Sequence, residues 1–271
     1  MPISTRAASL EAIEARGRSG QPHRVSAKLV ALAKVASANV VLASLPRSLR
    51  EEIVAHATCL ELKRGDIVEH ELSGKRVFFP LSGMLTAVRT RNDGSHFAYL
   101  HRGREAAVNA IGFDPLQITV GASNLVADVP GKVLALEMQY YRTLLEDSPA
   151  LMHAMLLHAS HVIISTEQST DCAGHHPVRA RTAYFLLLLR VHQSTDMLDV
   201  THSRIGEVLG VRRQSISEAL STLKNRRVIT LDRGRINVAD RRELWQQACD
   251  CRCNVDRVEQ LQIAGEFAYT G

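Results

Sequence analysis

Arg212 and Arg213 open a helical stretch whose later polar residues, Gln214, Ser217 and Glu218, fall away from the apolar positions Ile216, Ala219, Leu220 and Leu223. These are side chains suited to hydrogen bonding along the edges of flat bases. A guanidinium forks onto guanine, a carboxamide onto adenine, and a carboxylate accepts from the amino group of cytosine. All five are candidate base-reading residues. Arg204, Lys224, Arg233 and Arg235 surround them in sequence and are candidate phosphate ligands.

Such residues read bases only if something rigid presents them. Ile205, Val208 and Leu209 form one short apolar stripe, and Val211 to Leu223 form a second, with Gly210 where the chain must bend between them. After them Ile229, Leu231, Ile236 and Val238 alternate about Asp232-Arg233-Gly234-Arg235, which predicts a two-stranded hairpin with a basic tip. Helix, glycine turn, helix and hairpin predict a winged helix-turn-helix for double-stranded DNA. The charge agrees: residues 201–245 hold ten Lys and Arg against five Asp and Glu, so this segment carries the +5 of the whole chain. A localised positive patch is what phosphate binding requires.

At 271 residues and 45% hydrophobic content the chain has room for roughly two packed domains. No run reaches the roughly 18 apolar residues of a membrane span, and no signal or transit segment is evident, so a soluble cytoplasmic protein is expected. Five cysteines are an odd number for a disulfide framework, and reduced thiols are expected.

The predicted organisation is α+β. Residues 1–26 read as a flexible tail. Residues 27–147 read as a sensor-like domain, in which short β-runs between Cys59 and Met138, broken by Gly65, Asn92-Asp93-Gly94, Gly103 and Pro130-Gly131, imply an antiparallel sandwich or roll. Residues 148–172 read as a long connecting helix, with Leu151, Met155, His158 and Val162 as its expected dimerisation seam. The DNA-binding domain is expected over 173–253, and 254–271, lacking periodicity, reads as a C-terminal tail.

This arrangement resembles the Crp/Fnr (cyclic-AMP-receptor/fumarate-nitrate-regulator) family of bacterial regulators. RVFFPLSGMLTAV and RNDGSHFAYLHRGREAAVNAIG resemble the family's roll, DCAGHHPVRARTAYFLL its linker helix and IGEVLGVRRQSISEALSTL its DNA-reading unit; the similarity spans residues 40 to 253. The resemblance implies a cyclic-nucleotide-binding-like jelly roll, a dimerising helix, a homodimer on an inverted-repeat operator, and RNA polymerase as a protein partner. Two family features are missing. After Arg104-Glu105-Ala106 no arginine stands in GFDPLQITVGASNLV to meet a cyclic phosphate, so an unidentified small-molecule effector other than cyclic AMP is expected. Only Cys59 lies near the roll, so no N-terminal cysteine set for an iron-sulfur cluster is expected. Arg227 replaces the glycine common after the reading helix, leaving Asn225 as the expected left-handed cap.

Competing chemistry finds less support. Cys249, Cys251 and Cys253 form CxCxC, tighter than a zinc knuckle and without a clear second ligand pair. Cys172, His175 and His176 at a helix entry read as capping and hinge residues. His101, Glu105 and Gly112 match the tail of a cupin motif, but Tyr99 replaces its other histidine. No nucleophile elbow or Walker loop is present. The expectation is a non-enzymatic regulator with no catalytic residue, no metal and no cofactor identified; an effector-independent architectural DNA-binding protein and a cupin-like metalloenzyme are the alternatives.

Overall fold

The computed structural model describes residues 36–70, 74–90, 96–111 and 122–264. The expected N-terminal tail lies outside the described residues, as do most of the segment that lacks the phosphate-binding arginine and the last seven residues of the chain.

Two helices, Val40–Ala43 (α1) and Arg47–His56 (α2), lead into seven strands. Fully buried Asn39 fixes the entry: its Oδ1 accepts from the Leu42 N–H, while its Nδ2 donates to the Pro80 and Ala106 carbonyls at 3.0 and 2.9 Å. One amide thus caps a helix and closes two backbone acceptors of the roll, the pairing a buried carboxamide needs.

The strands are Thr58–Leu62 (β1), Ile67–His70 (β2), Arg76–Pro80 (β3), Met84–Thr90 (β4), His96–Arg102 (β5), Ala122–Val129 (β6) and Gly131–Glu137 (β7). They form two antiparallel sheets, ordered β1-β7-β3 and β2-β6-β4-β5. Phe78, Leu85, Leu125, Val133 and Ala135 from both sheets share one core, as the alternating pattern predicts. The corner at Pro130 requires glycine on each side of a close crossing. A Cβ at Gly131 would lie 2.2 Å from the Ser82 carbonyl oxygen, and one at Gly83 2.5 Å from that of Val129.

Met138–Asp147 (α3) returns the chain to the long helix Pro149–His175 (α4), which Ser148 caps through its side chain and Pro149 opens. Its 27 residues span about 40 Å at 1.5 Å per residue. The expected seam is corrected here. Leu151, Met155 and His158 are 0%, 5% and 6% exposed and pack on the protomer's own roll, and Val162 is half-buried. The exposed stripe consists instead of Met152, Leu156, Leu157, Ile163 and Ile164. A helix with apolar residues on both sides has two stripes, and spacing alone does not say which one the roll takes.

The C-terminal unit comprises Val178–Gln193 (α5), Met197–Asp199 (β8), His202–Leu209 (α6), Arg213–Asn225 (α7), Ile229–Asp232 (β9), Arg235–Val238 (β10), Arg241–Gln247 (α8) and Cys253–Ala264 (α9). The last helix corrects the expected tail: Val255 and Val258 are buried in the same core as Leu186, Ile216, Leu220 and Leu244. Among its described side chains only these two are buried hydrophobics, too few to give a visible apolar period. Met84 and Val129 of the roll belong to that core as well, so the two domains share apolar packing. Among the described residues, no helix is long and apolar enough to cross a membrane.

Candidate nucleic-acid interface

The turn between α6 and α7 is built from two glycines. Gly210 has φ +65°, the left-handed conformation that closes α6, and a Cβ at Gly206 would stand 2.9 Å from the Val211 carbonyl oxygen. Thr201 caps the start of α6 by accepting from the Arg204 N–H at 3.2 Å. Buried Arg181 reaches across from α5 and donates to the Leu209 carbonyl at 2.6 Å, satisfying a helix-end acceptor. That role was not legible in sequence, because Arg181 reads simply as one polar residue in an apolar helix.

On α7 one face is closed and the other open. Ile216, Leu220 and Leu223 are fully buried, whereas Arg212, Arg213, Gln214 and Glu218 are exposed. Gln214 donates to Glu218 at 3.2 Å, one turn on. Ser217 is half-buried; its hydroxyl donates to the Arg213 carbonyl and lies 3.1 Å from His202 Nδ1. Ser217 therefore already has partners within the motif. The hairpin after α7 pairs Asp232 with Arg235, and Gly234 takes φ +74° at its tip. Arg233, Arg235 and Lys224 are exposed. The left-handed residue after α7 is Arg227, at φ +61°, and Asn225 remains in the helix, correcting the expected cap.

Arg204 departs from its expected phosphate role. Its Nε and Nη2 donate to both carboxylate oxygens of Asp128 on β6, each at 2.7 Å, and its Nη1 donates to Glu207 at 2.7 Å. Asp128 also accepts from the Thr86 hydroxyl at 2.8 Å, and Thr86 lies 3.1 Å from His101 Nδ1. In this conformation the guanidinium is occupied by carboxylates of its own chain. Burial pushes His101 down to about 4, against a smaller opposing pull from Asp128.

A cavity of about 470 Å³ lies where β5, α4 and α5 meet, lined by Phe97, His101, Arg102, Ser165, Tyr184 and His192. Arg102 Nε, Glu105 Oε2 and His192 Nδ1 are buried there without a hydrogen-bond partner among the described residues. Each such atom is costly unless something pairs it. The contact is close: a Cβ at Gly103 would lie 2.4 Å from the His192 ring. Cys249 and Cys251 are buried beside Cys172 and His176, whereas Cys253 is exposed at the start of α9.

Comparison with known proteins agrees with this geometry. Residues 180–247 match the family model for a Crp-like helix-turn-helix domain. The chain is 22% identical over 197 residues to the global nitrogen regulator of Synechococcus elongatus, covering 66% of this chain and 89% of that one. It is 25% identical over 176 residues to the global nitrogen regulator of a Nostoc strain, covering 60% and 77%. Among solved structures, a crp/fnr-family transcriptional regulator from Eubacterium rectale superposes with a TM-score of 0.62 at 17% identity, covering 75% of this chain and 94% of that one. The domain match assigns residues 180–247 to a Crp-like helix-turn-helix, the nitrogen-regulator likeness supports a DNA-binding transcription regulator, and the roll-helix-winged-helix fold is similar to that of Crp/Fnr regulators.

Proposed function

We propose that the chain acts in the cytoplasm as a homodimer on an inverted-repeat operator, each protomer setting the start of α7 in the major groove and its wing against the flanking phosphates. The observation that carries this reading is the open face of α7: Arg212, Arg213, Gln214 and Glu218 are exposed over a buried opposite face, beside a hairpin tipped by Arg233 and Arg235. Arg213 and its neighbours, with Ser217 adjusting Arg213, read bases; Lys224, Arg233 and Arg235 hold phosphates. RNA polymerase is its protein partner in this reading.

The dimer seam is the exposed stripe of α4. Met152, Leu156, half-buried Ala159 and Ile163 recur at four-, three- and four-residue steps, the spacing of a two-helix coiled coil. The effector is a small molecule seated in the junction cavity, with an acceptor for Arg102 Nε and a donor for Glu105 Oε2. Its position between roll, seam helix and DNA-binding unit gives it purchase on all three.

Selection from random duplex DNA with the untreated protein tests the reading. Enrichment of a dyad whose half-sites lie roughly 34 Å apart is expected. A dyad that emerges only when small molecules from a cell extract are added would assign effector dependence. Recovery that ignores sequence under both conditions would sink it.

A further inference from the structure

The structure brings together two short motifs far apart in sequence. Cys172-x3-His176 lies at the end of α4, where the connecting helix stops and α5 begins. Cys249-x-Cys251 lies after α8, in the 3-10 turn that precedes α9. One ligand atom from each of the four residues falls within 4.8 Å of all the others. Cys172, Cys249 and Cys251 are buried at 4–6% exposure, and His176 is half-buried.

We propose that Cys172, His176, Cys249 and Cys251 bind one zinc-class divalent cation in a tetrahedral Cys3His site that clamps the end of the connecting helix to the segment following the wing. The spacing fits. Zinc bonds of about 2.3 Å to sulfur and about 2.0 to 2.1 Å to nitrogen make tetrahedral edges of roughly 3.8 Å between sulfurs and roughly 3.6 Å between sulfur and nitrogen. The Cys172 and Cys249 sulfurs are 3.7 Å apart, and Cys251 Sγ is 3.6 Å from His176 Nδ1. The remaining pairs lie within 4.8 Å, so the four atoms need close by no more than about an ångström to reach tetrahedral edges around a cation.

The backbone is set to hold them. The N–H of His176 donates to the Cys172 carbonyl at 3.2 Å, fixing those two ligands one turn apart, and the N–H of Cys249 donates to the Ala180 carbonyl at 3.3 Å, pinning the CxC turn against α5. Apart from one another, the buried thiols pack against Ala180 and Tyr184. Three thiols and an imidazole converging among such neighbours form a donor set selective for a soft or borderline metal. A Cys172–Cys249 disulfide would use only two of the four groups and leave the convergence of Cys251 and His176 unexplained. An iron-sulfur cluster distributes its cysteines over more than one iron, whereas these four atoms converge on a single point. With four protein ligands the site would be closed and structural, joining the hinge between α4 and α5 to the C-terminal helices.

The test uses the full chain, purified anaerobically without chelator. Plasma mass spectrometry is expected to find one equivalent of zinc per protomer. After its removal, Co2+ as the probe is expected to give the intense visible bands and sulfur-to-cobalt charge transfer of a tetrahedral thiolate site. C249S and H176A should lose or shift those bands, whereas C253S and C59S should retain them. Stripping the metal should lower the melting temperature, and returning it should restore the original value. The wild-type cobalt spectrum alone decides the matter if a variant fails to fold. A weak octahedral spectrum, an iron-sulfur chromophore, or a metal-free protein with a Cys172–Cys249 disulfide would overturn the proposal.

Discussion

Asp128 on β6 and Arg204 on α6 face each other through two parallel hydrogen bonds of 2.7 Å, joining the roll to the first helix of the DNA-binding unit. Their side chains are only 12% and 21% exposed, so this pair is shielded far more than a surface ion pair. Arg64 reinforces the same junction by meeting Asp199 at 2.6 Å. A residue expected on sequence grounds to hold DNA holds the two domains together here.

That arrangement separates Arg204 from the proposed phosphate ligands Lys224, Arg233 and Arg235. Arg204→Ala leaves Asp128 buried without its main partner and should cost ~1 to 3 kcal/mol of stability. Denaturant unfolding checks the loss. Its effect on the salt dependence of DNA binding should be negligible. A salt slope reduced by about 0.9, the signature of one lost phosphate contact, would return Arg204 to the DNA surface.

Arg213 and Arg233 should differ in kind. Arg213→Ala is expected to cost ~1 to 3 kcal/mol and to relax discrimination at one operator position, because base-edge contacts carry sequence information that phosphate contacts do not. Arg233→Ala should weaken all duplexes alike and flatten the salt slope. Affinities measured on the selected operator and its single-base variants, at several salt concentrations, distinguish the two. Identical sequence-blind losses from both substitutions would remove the reading role of Arg213.

The seam prediction sets two stripes of one helix against each other. Leu156→Glu and Ile163→Glu alter residues that are 61% and 58% exposed, so each should yield a folded monomer with little loss of melting temperature. Met155→Ala, one residue from Leu156 yet 5% exposed, should instead cost ~2 to 5 kcal/mol through the cavity it leaves in the roll. Light scattering and thermal melts measure both. A dimer that survives both glutamate substitutions would place the seam elsewhere.

The contrast also marks how far the sequence was legible. Local patterns carried most of the fold. The glycine at the helix turn, the alternation of Ile229 to Val238 and the β-runs from Thr58 to Glu137 each specify an element through its own period. What could not be read was pairing between distant segments. Asp128 and Arg204 are 76 residues apart, and Cys172 and Cys249 are 77. No spacing rule links them, so Arg204 looked like a phosphate ligand and the CxC turn looked incidental. The C-terminal helix was missed for the opposite reason: its burial rests on Val255 and Val258, and the other side of its contact is supplied by α5.

Arg227 offers a substitution that should stabilise. Its φ of +61° sets a residue with a Cβ in the left-handed region, and the residue is exposed, so no packing compensates. Arg227→Gly should gain ~1 kcal/mol, less the entropy glycine adds to the unfolded chain. Chemical denaturation reads the change; a loss of stability would mean that the Arg227 side chain contributes more than its backbone costs.

The histidines buried at the domain junctions predict how stability depends on pH. Desolvation lowers His101 and His158 from 6.5 to about 4 each. His158 is held by the Ala107 backbone, its Nε2 lying 3.0 Å from the carbonyl oxygen and 3.3 Å from the nitrogen. His192, also lowered by burial, sits on the roll at Gly103. In each case the unfolded chain binds a proton at a pH where the folded chain does not. The contribution is therefore intact above pH 6.5 and erodes as pH falls toward about 4, where His101 and His158 begin to protonate in the folded state. His158→Gln keeps a hydrogen-bonding side chain at the α4–roll contact without this titration. Its melting temperature should fall less steeply than that of the wild type between pH 6.5 and 4. Parallel melting curves across that window would show that His158 does not stay neutral in the folded protein.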